Sequence, residues 1–200
     1  MSASPSPPAI VAAGQGAQQV AGQPAARAAA VGALQAALTA EHAAVYGYGV
    51  AGAHLAGARQ KAAARDWAAH EAARDTLAAM VTALGTRPVA AAAAYRLPFP
   101  VRGRQAATML AAFLEDWVAA AYLGLVALSD ARLRVLGARA LQSAALRAAG
   151  WRGRTLAFPG LEVPAPNPLP SGPGAGQPDP GPSTPGGASA SPPPTGPVGG

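Results

Sequence analysis

Residues Leu34–Leu55 read LQAALTAEHAAVYGYGVAGAHL, and the spacing of their large side chains decides the fold. Leu34, Leu38, Glu41, Val45 and Tyr48 recur at intervals of 4, 3, 4 and 3, which puts them on one face of an α-helix. Three more stretches carry the same helical period. Trp67, His70, Leu77, Val81 and Leu84 form the second, and Leu110, Phe113, Leu114, Trp117, Tyr122 and Leu125 the third. Leu133, Leu136, Leu141 and Leu146 form the fourth. Of the 21 prolines, none falls within 25–87 or 101–158. An interior proline costs a helix about 3 kcal/mol, so these are the windows in which long helices are permitted. The predicted helices span 28–56, 59–84, 104–128 and 130–150, with Gly57 as the stop of the first and Gly85 as the left-handed cap of the second. Ser129 and Asp130 are expected to break and cap the fourth.

The predicted fold is therefore an all-α four-helix bundle over 27–154, between a disordered N-terminal segment (1–26) and a disordered Pro/Gly-rich tail (155–200). The tail has almost no large apolar residues to offset the entropy of ordering it. Short links make hairpins of the first and last helix pairs. The middle link, 86–102, could reach roughly 55 Å at about 3.3 Å per residue. A 26-residue helix is only about 39 Å long. One long crossover between the second and third helices, the mark of ferritin-like bundles, is thus expected, with Tyr95 and Phe99 packing it down. Alanine-rich faces predict a thin core, with Trp67, Phe113, Trp117 and Tyr122 as buried anchors contributing on the order of 2–3 kcal/mol each.

Composition narrows the function. With no cysteine, disulfides, thiolate metal sites and thiol nucleophiles are excluded, so any metal must use carboxylate or imidazole. Glu162 and Asp179 belong to the tail, which leaves 27–154 with a net charge of +8. Such a field suits phosphates or an acidic partner, although nucleic acid is not the favoured partner. The N-terminal stretch lacks a signal-peptide pattern, and the longest strongly apolar charge-free run, Trp117–Ser129, is shorter than a bilayer span. A cytoplasmic protein without a membrane partner is expected, with a second copy of the chain as a candidate partner. No Gly-rich phosphate loop, Gly-x-Ser-x-Gly elbow or His-Glu-x-x-His is present, and no enzyme class is assigned.

Polar residues on the inward stripes carry the candidate chemistry. Glu41 shares the face of Leu34, Leu38, Val45 and Tyr48. His70 faces inward, with Asp66 one turn earlier on the same side. Glu115 shares a stripe with Ala111, Val118 and Tyr122, and the fourth helix offers Gln142 at the level of Glu115. Carboxylates and imidazole in a bundle core suit iron or manganese, so Glu41, His70, Glu115 and Asp66 are the candidate metal ligands. A full dinuclear set is absent: Trp67 stands three residues before His70, and 131–150 holds no Glu, Asp or His. The alternative is a degenerate bundle without metal that serves as a structural or interaction scaffold, with Glu41 paired to Arg74 or Arg147.

The Leu34–Leu55 run, WAAHEAARDTLAAM (67–80), AAYRLPFPV (93–101), LAAFLEDWVAAAYLGLVA (110–127) and the close at 151–160 together resemble the actinobacterial ferritin-like domain family of unknown function. That resemblance covers essentially the whole core. It implies a ferritin-like bundle and no known activity, and the matching positions Glu41, His70 and Glu115 are not established ligands in that family.

Overall fold

A computed structural model of the chain describes residues 10–155, with side chains from Gln23 onward. It contains four α-helices and, among the described residues, no strand: α1 (Ile10–Ala53), α2 (Gly57–Ala83), α3 (Gly103–Val126) and α4 (Ala131–Arg152). The first helix starts well before the expected residue 28 and runs through Pro24, whose missing amide removes one backbone hydrogen bond of the helix. Of the expected disordered segment 1–26, residues 1–9 lie outside the described residues. The expected disordered tail lies outside them from Leu156 on.

The helix ends have local causes. Gly85 (φ 66°) follows α2 and closes it, with its amide on the Thr82 carbonyl and that of Thr86 on Val81. Asp130 caps α4 by accepting from the amides of Arg132 and Leu133 at 2.8 and 3.1 Å, and Gly153 (φ 77°) ends it. Gly57 is not a stop but the first residue of α2, so the turn lies at His54–Ala56. This earlier turn brings Glu41 and His70 to one level.

The helices pack antiparallel where they touch. Between α1 and α2, Val45 meets Trp67 and Arg27 meets Leu84. Between α1 and α3, Tyr48 meets Glu115 and Glu41 meets Tyr122. Gly137 on α4 sits against Leu125 on α3. The connecting residues 84–102 lie on α1. The Gln35 amide clasps the backbone of Arg87 and Val89, His42 donates to the Val89 carbonyl, and the rings of Tyr46 and Tyr95 stand 5.5 Å apart. Leu97, Phe99 and Val101 continue onto the core.

The core divides into two apolar clusters. One is built on Leu34, Leu38, Leu77, Val81 and Leu125, the other on Tyr48, Leu55, Leu110, Leu114 and Trp151. Alanine fills much of both, as expected of helices in close approach. The expected aromatic anchors are a different matter. Tyr122 is buried, Phe113 and Trp117 are half-buried, and Trp67 is 38% exposed. The inward face of α2 is Ala63, Asp66, His70, Leu77 and Val81, which leaves Trp67 at the edge with its indole donating to the Val45 carbonyl at 3.1 Å. Similarly, α4 turns Leu133, Gly137, Ala144, Ala148 and Trp151 inward and leaves Leu146 68% exposed. By length and composition α3 alone among the described helices could cross a membrane, and 56% of its most apolar window is buried in the bundle.

Candidate functional site

A polar network stands between the two apolar clusters and ties all four helices together. Glu41 and Tyr48 come from α1, His70 from α2, Glu115 and Tyr122 from α3, and Arg147 from α4. Glu41, His70 and Glu115 are each at most 1% exposed. His70 lies between the two carboxylates, with Nδ1 2.6 Å from Glu41 Oε2 and Nε2 3.1 Å from Glu115 Oε1. Ionised carboxylates only accept hydrogen bonds, so both ring nitrogens carry hydrogen and the ring is an imidazolium. The Tyr122 hydroxyl donates to Glu41 Oε1 at 2.7 Å. Glu115 Oε1 accepts from the Tyr48 hydroxyl at 2.5 Å and from Arg147 Nε at 2.7 Å, in addition to His70. Glu115 Oε2 is buried and has no partner among the described residues.

The electrostatics agree with the geometry. Burial by itself would lower the His70 pKa, but hydrogen bonds and charge from Glu115 and Glu41 outweigh it and raise the group to about 9. Burial likewise disfavours the Glu115 anion, yet His70 and Arg147 together hold its carboxyl below the ordinary range. Burial, reinforced by the neighbouring carboxylates, pushes both phenols upward, so Tyr48 and Tyr122 remain neutral donors. Two carboxylates are thus balanced by one imidazolium and one guanidinium, with net charge zero.

Of the four residues expected to bind metal, three converge and Asp66 does not join them. Asp66 is buried, and its Oδ2 accepts from the Trp151 indole at 2.9 Å. Among the described residues no group of three or more His, Asp or Glu is arranged to hold a metal ion. The reason is visible in the donors. A ring nitrogen must offer a lone pair to a metal, whereas both nitrogens of His70 face carboxylates as N–H groups. Around Glu115 Oε1, three donors, one of them a guanidinium, occupy the space a cation would need. In this arrangement the residues do not fit a divalent ion.

Gln142 does not face Glu115. It is exposed, about 140° around α4 from Gly137, and Arg147 reaches Glu115 instead. Arg74 pairs with Asp75 and Glu71 on the surface rather than with Glu41. The tyrosine hydroxyls were legible only as apolar stripe positions. Arg147 was legible as a possible partner of Glu41, whereas the residue it meets is Glu115. The pairing of Trp151 with Asp66 left no sequence signal, because Gly and Ala make up most of the inward stripe of α4 that leads to it.

Residues 33–163 match the profile of a domain of unknown function, DUF4439. Among solved structures, the chain is similar to the crystal structure of a conserved hypothetical protein, rv2844, from Mycobacterium tuberculosis. The two are 33% identical with a TM-score of 0.61, over 63% of this chain and 96% of that one. A comparison with curated proteins finds no match.

Proposed function

The chain belongs to the DUF4439 family, and on that premise we propose that it is a ferritin-like bundle whose polar core is a metal-free structural lock, serving as a scaffold that works through its outer faces. One observation carries this reading: the charges of buried Glu41, His70 and Glu115 and of half-buried Arg147 cancel within a single hydrogen-bonded network. In a thin, alanine-rich core such a network specifies helix register where apolar packing is least selective. The ferritin-like part of the proposal draws on the antiparallel contacts of α1 with α2 and α3. Contacts of this sense support a parallel α2 and α3, with 84–102 serving as a long crossover.

The test is aerobic reconstitution of the purified full chain with iron(II) or manganese(II), followed by gel filtration and elemental analysis. The lock predicts no stoichiometric metal, and Glu41→Gln lowers stability without changing metal content. A second reading, a mononuclear iron or manganese centre at Glu41, His70 and Glu115, is favoured by the unpartnered buried Glu115 Oε2. It requires Arg147 to leave Glu115 and His70 to give up a proton. One retained metal per chain, lost in His70→Gln, would establish that reading and overturn the lock.

A further inference from the structure

Around the bundle, α2 and α4 approach each other less closely than the other adjacent pairs, and clefts open along their seam. One of them, about 300 Å³, is lined by Arg59, Arg65, Asp66, Leu146, Arg147 and Trp151 among others. Three arginines and one aspartate are among the residues that line it. The Arg59 guanidinium is already positioned: its Nη1 donates to the Gly150 carbonyl at 3.1 Å, and its carbon stands 5.2 Å from the Trp151 ring centroid. No carboxylate among the described residues pairs with Arg59. Arg65 has a 75% exposed side chain and touches Asp66 only at 3.5 Å. Arg147 meets Glu115 through Nε, and its terminal nitrogens have no acceptor among the described residues. Asp66 is meanwhile engaged by the Trp151 indole.

A guanidinium presents its N–H groups in a planar fork that matches phosphate oxygens, and a recessed site strengthens that attraction relative to open surface. The cleft volume lies at the small end of the ligand-pocket range. Leu146 supplies an exposed apolar lip beside the charges. We propose that this cleft binds a small molecule bearing a phosphate-type oxyanion, held by Arg59, Arg65 and Arg147, with its apolar portion against Leu146 and Trp151. The inference goes beyond the scaffold reading by assigning the seam a ligand of defined chemistry.

The experiment is calorimetric titration of the full chain, in low-salt buffer, with phenyl phosphate, inorganic phosphate and benzyl alcohol. Phenyl phosphate binds saturably at one site per chain, inorganic phosphate binds more weakly, and benzyl alcohol does not bind. Arg59→Gln/Arg65→Gln, two exposed positions, lowers phenyl phosphate affinity by about tenfold or more. Arg132→Gln/Arg139→Gln, equally exposed on α4, keeps the wild-type value, and circular dichroism verifies both folds. Unchanged affinity in the Arg59/Arg65 variant refutes the site, as does an absence of binding. An equal loss in both variants reduces the effect to diffuse positive charge and also refutes it. None of these readouts depends on metal content, so failure here is distinguishable from failure of the lock.

Discussion

His70→Gln is the most direct perturbation of the core, because it removes one of the two cations balancing Glu41 and Glu115 while keeping a polar side chain in place. Both carboxylates are essentially sealed from solvent, and only Arg147 remains to compensate them. Removing one partner from a buried, hydrogen-bonded ion pair costs about 3–5 kcal/mol, chiefly because a charge is left uncompensated. That is a large share of the roughly 5–15 kcal/mol by which a typical domain is stable. At about 2–8 °C per kcal/mol, the range spanning domains of this size, the melting temperature at pH 7 should fall by at least about 6 °C. The deficit also has a pH signature. As pH falls, a stranded carboxylate can take up a proton and relieve the variant, while the wild type gains from His70 until pH passes below that group's unfolded value near 6.5, so the two effects oppose each other. Urea unfolding followed by circular dichroism at pH 5 and pH 7 measures both quantities. A variant within about 1 kcal/mol of wild type at pH 7, the size of an ordinary surface substitution or little more, would refute the charge-balanced core.

The wild type should lose stability on both flanks of neutrality. His70 has a raised folded pKa, so its contribution is complete below its unfolded value near 6.5 and is lost as pH rises through about 9, on the order of 3 kcal/mol at most. Glu115 is depressed, so its contribution is present above the ordinary carboxylate range and disappears as acid protonates it, and a pH series of denaturant melts reads both flanks. Gly137→Ala should destabilise by about 1–3 kcal/mol, because a Cβ there would lie 2.8 Å from Leu125 Cβ and 3.0 Å from the Tyr122 carbonyl oxygen. Gly49→Ala, with nothing within 4 Å of its Cβ, should stabilise α1 by about 0.5–1 kcal/mol, and thermal melts of the two variants should therefore shift in opposite directions. Trp151→Phe keeps an aromatic ring but strips buried Asp66 of its indole donor, so a loss of about 1–3 kcal/mol is expected in chemical denaturation.

Helix identity and the inward direction of Glu41, His70 and Glu115 were legible because each residue's angular position on a helix follows from its own neighbours in sequence. The caps at Gly85 and Asp130 were legible for the same reason, since a left-handed φ or a side-chain acceptor acts within a turn of itself. Large side chains are a poor guide to the buried face in this chain. Trp67 and Leu146 are prominent in the sequence yet lie at the rim, because alanine and glycine let helices close so tightly that the seam forms on small residues. The rotation of α4 follows the same small residues, so that Arg147 rather than Gln142 reaches Glu115.

Periodicity and proline placement by themselves settled that this chain is helical, roughly where its helices run, and which three polar groups point inward. What those groups do to one another was decided only by the folded arrangement. A turn two residues earlier brought Glu41 level with His70, and the rotation of α4 delivered a guanidinium to Glu115. Local sequence sets the direction of a side chain, whereas the charge it meets across the core depends on the register and rotation of a helix many residues away. The same three residues could have surrounded a cation, and their partners instead make them a neutral hydrogen-bonded core.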